Sequence, residues 1–239
     1  GRLMQGCERG GWMVSVEASE GEVQRWLEGL GERVSVAGLN GPRQTVLSGD
    51  AEALSALVER VSSEGYRTKR LRVSHAFHSA HMDGMLAELR KVAESCEYGR
   101  RRVEVVSLLT GEVAKEELVS AEYWVKQARQ SVRFTRGMET LGGLGVTRYL
   151  ECGPDGVLSA LGAGCVSGAE AVSFVPSQRP GMGEAEALMR ALGELHVRAV
   201  AVDWSRVLEA HGGRRVEAPT YAFQREAYWL KDPPSRSDV

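Results

Sequence analysis

The first third of the chain switches repeatedly between two hydrophobic periods, and that switching restricts the fold more than any other feature. From Trp12 to Ala18, the residues Trp12, Val14 and Val16 interleave with Met13, Ser15 and Glu17, which is the period of a strand. Ser19-Glu20-Gly21-Glu22 then has the form of a capping box, with Glu22 at the third helical position. Val23, Trp26, Leu27 and Leu30 follow at helical spacing, and Gly31 closes the helix. Two β-rich runs, Val34 to Gly38 and Gln44 to Ser48, flank Asn40-Gly41, a hairpin signal whose loop is lengthened by Pro42. Asp50 is placed to cap a second helix, with Leu54, Leu57, Val58 and Val61 on one face. Gly65 ends that helix, and Tyr66 to Val73 returns as a strand.

The resulting order, βαββαβ over residues 11–73, is the split ferredoxin-like arrangement. Beyond residue 74 the pattern changes. Met82, Met85, Leu86, Leu89, Val92 and Cys96 mark a helix of several turns. Strand candidates at Val103 to Leu108, Arg148 to Glu151 and Ala171 to Val175 alternate with helical stretches around Tyr123 and Val157. That alternation predicts part of an α/β layered structure, with too few strands to be complete. From about Gln178 onward, a further amphipathic helix (Leu188, Met189, Leu192, Leu195) leads into a segment rich in Pro, Arg and aromatic residues.

Bulk properties exclude several classes of function. A net charge of -2 gives no electrostatic footprint for nucleic acid. The apolar runs are short and broken by charge, so no membrane span is expected. Cys7, Cys96, Cys152 and Cys165 are scattered without CxxC spacing, as suits free thiols in a cytoplasmic protein.

The densest chemical cluster is Val73-Ser74-His75-Ala76-Phe77-His78-Ser79, between a predicted strand and a predicted helix. Loops at strand ends commonly carry catalytic groups, and histidine is the side chain best suited to exchange protons near neutral pH. His75 or His78 is therefore a candidate general base; the plainer alternative is that both pack against or cap the following helix. A metal site built from His75, His78 and His81 lacks an obvious fourth ligand, so none is expected. Ser79 is not a candidate nucleophile, since neighbouring residues at a helix start do not meet in hydrogen-bonding geometry. Arg67, Lys69, Arg70 and Arg72 suit the solvated face of an edge strand, with steering of an acidic partner as the alternative.

The run V-S-H-A-F-H-S-A-H-M-D-G-M, from Val73 to Met85, resembles the histidine-bearing segment of polyketide synthase acyltransferases. Four further segments resemble the same family in the same order. They are Gly-Arg-Leu-Met-Gln at the start, Tyr123-Trp124 through Val132-Arg133-Phe134, Tyr149-Leu150-Glu151-Cys152-Gly153-Pro154, and Pro219 through Trp229. The resemblance implies an incomplete α/β hydrolase-like acyltransferase core with an inserted ferredoxin-like subdomain. In that division, residues 1–10 end the first part of the large subdomain and residues 11–73 form the small one. Residues 74–178 continue the large subdomain, and residues 179–239 form the linker that follows it.

The same resemblance implies ping-pong transfer of a malonyl unit from malonyl-CoA, through a serine ester, to the phosphopantetheine thiol of an acyl carrier protein. No bound cofactor is implied. His78 matches the proton-shuttling histidine, and Gln127 is expected to orient its imidazole through the backbone carbonyl. His75, Phe77, Met4 and Gln5 are expected at the substrate, because H-A-F-H in this family accompanies malonyl rather than methylmalonyl units. A ketosynthase domain and the preceding part of the acyltransferase are the other implied partners. No G-H-S-x-G occurs in the chain, so it is expected to be inactive alone. Two rivals remain open: a non-catalytic docking module, and a stand-alone malonyl transferase of fatty-acid synthesis.

Overall fold

A computed structural model describes residues 1–166, 172–214, 216–224, 226, 228 and 229. The chain divides into two units, Gly1–Val200 and Ala201–Val239. In the first, a short helix α1 (Arg2–Gln5) precedes β1 (Gly11–Val16), α2 (Glu20–Leu27), β2 (Val34–Gly41), β3 (Gln44–Asp50), α3 (Ala51–Ser63) and β4 (Thr68–Arg70). The four strands form one sheet in the order β2–β3–β1–β4, with every neighbour antiparallel.

The period-two pattern of β1 sends alternate side chains to opposite faces of this sheet. Val14 and Val16 join Val23, Leu47, Leu54, Leu57 and Val61 in a core under α2 and α3. Met13 points the other way, with Ala37 and Val46, and this second apolar face packs against Leu71 and Phe77. The sheet is thus covered on one side by its own helices and on the other by the histidine segment.

Local signals explain the start of α2. The Ser19 backbone N–H donates to the Glu22 carboxylate at 2.8 Å, and the full capping box is present. Its end departs from expectation. The helix stops at Leu27, and Gly31, at φ 55°, opens a 3₁₀ turn (Gly31–Arg33). The hairpin turn also lies later than expected. Gly41 pairs with Gln44, which leaves Pro42 and Arg43 as the loop and puts Asn40-Gly41 inside β2. Register shifts at Val36/Gly38 and Leu39/Gly41 absorb the difference. The last strand is only Thr68–Arg70, although Leu71 N–H still donates to Met13 at 2.8 Å.

Past the histidine segment come α4 (Asp83–Glu94), α5 (Ala121–Arg129), α6 (Phe134–Gly143), β5 (Arg148–Glu151), α7 (Val157–Ala163), β6 (Ser173–Pro176) and α8 (Glu184–His196). β5 and β6 are parallel neighbours with α7 between them in sequence. Of the predicted strand Ala171 to Val175, Ala171 lies outside the described residues and the rest overlaps β6. Val103 to Leu108 does not form a strand. It makes a single bridge, Val106 to Val113, because Ser107 closes a turn on itself by accepting from Gly111 N–H at 2.7 Å. In α8 the inward stripe is Ala187, Ala191 and Leu195, whereas Leu188 and Met189 are exposed. Ala191 and Leu195 pack on Val175 of β6, so α8 belongs to the first unit. In the second unit, Asp203 caps α9 (Trp204–Glu209) by accepting from Arg206 N–H at 3.1 Å.

No helix among the described residues is long and apolar enough to cross a membrane.

Candidate active site

Two loops meet at His78, and the small sheet holds both. The first is the histidine segment. Ala76 is fully buried, and Phe77 sits against the Met13–Ala37–Val46 face. Ser79 is buried as well; its hydroxyl donates to the Ala76 carbonyl at 2.6 Å and accepts from His81 N–H at 3.3 Å. Ser79 is therefore a capping residue. Between these anchors His78 takes φ 58°, the left-handed region that side chains other than glycine seldom adopt.

The second loop joins α5 to α6. Val132 pairs with β2 by donating to Ala37 at 2.9 Å and accepting from Leu39 at 2.8 Å. The Ser131 hydroxyl donates to the Val36 carbonyl, and Thr135 Oγ1 donates to Leu39 at 3.0 Å. This docking ends α5, and its C-cap Gln130 is extended, at φ -90° and ψ 166°. The Gln130 carbonyl consequently leaves the helix and meets His78 Nδ1 at 2.8 Å. A carbonyl only accepts, so Nδ1 carries the proton and the neutral imidazole presents its lone pair at Nε2. Burial depresses the pKa of His78 below its ordinary value, partly offset by the bond to Gln130. Burial favours the neutral ring, and the Gln130 carbonyl fixes its tautomer. His78 and Gln130 line a cleft of about 640 Å³, together with Gly31, Val36, Arg129 and Arg133 among others.

The other predicted site residues fall elsewhere. Gln127 does not supply the orienting carbonyl. It lies inside α5, where carbonyls run along the helix axis, and its buried side-chain Oε1 has no hydrogen-bond partner. Gln130 was missed because its role depends on where the helix ends, which β2 decides. His75 is fully buried; its Nδ1 lies 2.9 Å from Ser74 Oγ, and its ring is 6.0 Å from that of Phe77. It lies beside Phe77, and neither residue is among those that line the His78 cleft. Met4, half-buried, and Gln5, exposed, belong to α1 and do not line the His78 cleft. The three histidines of the segment have separate partners: Ser74 for His75, Gln130 for His78 and Asp50 for His81. Among the described residues no three His, Cys, Asp or Glu side chains gather as a metal site.

His78 thus meets the Gln130 carbonyl at a cleft lined by the small antiparallel sheet, α2 and the α5–α6 loop, and the comparisons with known proteins give the chain a family. Residues 1–202 match the acyl transferase domain model, and the chain belongs to that family. Its relatives are type I polyketide synthases. It is 47% identical over 233 residues to polyketide synthase GfsA of Streptomyces halstedii, covering 96% of this chain and 3% of that protein. It is 41% identical over 231 residues to phenolphthiocerol synthesis polyketide synthase type I Pks15/1 of Mycobacterium bovis, covering 96% and 11%. The acyltransferase domain from the second module of the salinomycin polyketide synthase superposes with a TM-score of 0.87 at 43% identity, over 93% of this chain and 52% of that one. The chain therefore spans a small fraction of its curated relatives and about half of that domain.

Proposed function

We propose that this chain is the histidine-bearing part of an acyltransferase that loads a malonyl unit from malonyl-CoA onto an acyl carrier protein, with His78 as the proton shuttle. In this reading residues 11–73 are a ferredoxin-like subdomain inserted in an α/β hydrolase-like core. The serine nucleophile belongs to sequence outside these 239 residues, so that the chain alone is inactive. His78 Nε2 takes the serine proton as Oγ attacks the thioester carbonyl, and returns it to the sulfur as the C–S bond breaks. In the second half-reaction the phosphopantetheine thiol gives its proton to Nε2, and the ring passes it to the departing serine oxygen. A ketosynthase domain and the remaining acyltransferase residues are the neighbours this assigns.

The observation that carries the reading is the contact of His78 Nδ1 with the Gln130 carbonyl, which leaves Nε2 as the acceptor of a ring that lines the cleft. A main-chain carbonyl here does what a buried carboxylate does in other triads, fixing tautomer and orientation. Further support comes from a malonyl-transacylase solved with its type II polyketide synthase acyl carrier protein, which is 26% identical with a TM-score of 0.70. The test is the intact domain with His78→Ala, assayed for acyl-enzyme formation from labelled malonyl-CoA. A fall of at least about 10²–10⁴-fold in a variant that remains folded is expected, the contribution of a positioned acid–base group. Labelling at the wild-type rate would remove His78 from the chemistry.

A further inference from the structure

We propose that Asp50 and His81 are positioning residues for His78, tying the segment that carries it to the end of β3. This inference rests on the role assigned to His78 above. Asp50 is the last residue of β3 and the N-cap of α3, where a carboxylate ordinarily accepts from the first turn of the helix. Its side chain makes no such cap bond. Instead Oδ1 lies 2.9 Å from His81 Nε2, and Oδ2 accepts from Arg33 Nε at 3.0 Å. Asp50 thus forgoes its helix cap and reaches across to the histidine segment.

The backbone around this pair has no slack. Gly11 of β1 pairs with Asp50, and a Cβ added there would lie 2.5 Å from Ala76 Cβ and 3.1 Å from His81 Cε1. The end of β3 and the start of β1 together form a seat for residues 76–81. His78 sits in the middle of that seat at φ 58°. An unfavourable backbone conformation persists only when the structure on both sides holds it. Ala76 and Phe77 provide the hold on one side. The Ser79 cap and the His81–Asp50 bond provide it on the other. His81 Nδ1 is buried without a hydrogen-bond partner, so the ring acts through Nε2 alone.

The test compares His81→Ala, Asp50→Ala and His81→Gln in the intact acyltransferase domain. The glutamine amide can donate from about the position of Nε2. Single-turnover acylation at saturating malonyl-CoA should slow by about 10- to 100-fold in the two alanine variants, the cost of a small misplacement of a catalytic group, with KM little changed. His81→Gln should recover most of the rate. Nitrogen NMR of the His78 ring reads the same effect without turnover: the Nδ1–H tautomer should persist in wild type and His81→Gln and become mixed in the alanine variants. Where His81→Ala does not fold, Asp50→Asn, which keeps the shape and weakens the acceptor, is read in the same two assays with a smaller effect expected. Alanine variants with wild-type rate and an unchanged His78 tautomer would overturn the proposal and leave the role of His78 standing. Unimpaired acylation by His78→Ala would instead sink that role, while the tautomer of the wild-type ring would still report on the tether.

Discussion

His78 Nδ1 and the carbonyl oxygen of Gln130 lie 2.8 Å apart, and each is delivered by a segment seated on the same four-stranded sheet. Gln130 follows β2 through the pairing of Val132 with Ala37 and Leu39. His78 follows the opposite apolar face through Phe77. The sheet is thus the part of the fold that sets the imidazole.

The first consequence is a pH dependence. Burial lowers the His78 pKa from its ordinary 6.5, and in the proposed mechanism only the neutral ring accepts the serine proton. A depressed pKa keeps the base competent further into acid. The acid limb of acyl-enzyme formation should therefore fall through an apparent pKa below 6.5. Rapid-quench rates from pH 5 to 8 would show it, and a limb centred at or above 6.5 would contradict the buried geometry.

A second prediction concerns Phe77, which packs on the sheet face and which the proposed function makes a wall of the acyl pocket. It packs on Met13, Ala37 and Val46, with the His75 ring 6.0 Å from its own. Phe77→Ser combined with His75→Tyr should shift selection toward methylmalonyl-CoA. One methyl in a pocket is worth about 1–3 kcal/mol, so the change in the kcat/KM ratio should stay within roughly 200-fold. Phe77→Ser should also lower stability, since it empties space on the sheet face. Competition assays with both thioesters separate the effects. An unchanged ratio would move the wall elsewhere.

What the sequence made legible was what short-range chemistry decides. Ser19 and Glu22 cap α2 because their partners lie within one turn. The histidine segment stood out through residue types and resemblance. Gln130 did not, since nothing local tells which carbonyl escapes a helix until β2 captures Val132. Asp50 was expected to cap α3 and is drawn away by His81, a residue distant in sequence. The Asn40-Gly41 turn moved to Pro42-Arg43 because bulges, set by strand pairing, displaced the register. Val103 to Leu108 has strand composition but folds back on its own turn.

Glu22 gives an acid-stability prediction. Bonds from the Ser19 side chain and backbone, then Tyr66, with Arg43 nearby, hold its carboxyl at about 2 against an ordinary 4.5. A pKa lower in the folded than in the unfolded chain stabilises fully above the unfolded value. That stabilisation is lost as pH falls from about 4.5 toward 2. Glu22→Gln should flatten the decline of unfolding free energy over that window while also weakening the capping box. Urea melts at stepped pH test it, and parallel profiles for both proteins would count against the assignment.

The last prediction returns to the sheet that sets the imidazole. Gly49 lies in β3 between two partners, opposite Trp12 of β1 and Val34 of β2. A Cβ there would stand 2.0 Å from the Arg33 carbonyl oxygen and 2.9 Å from Val34 Cα. Both obstacles are backbone, and strands on either side prevent β3 from moving away. Gly49→Ala should therefore cost about 1–3 kcal/mol or more, the range for forced overpacking. Gly21, in α2, is the contrasting case: nothing lies within 4 Å of its added Cβ, and alanine suits a helix better by about 1 kcal/mol. The two glycine-to-alanine changes should thus move the denaturant midpoint in opposite directions. Because Gly49 adjoins Asp50, the first should also slow acylation, and the second should not. Midpoint shifts of the same sign would mean that the strand register around Arg33 is not the one described.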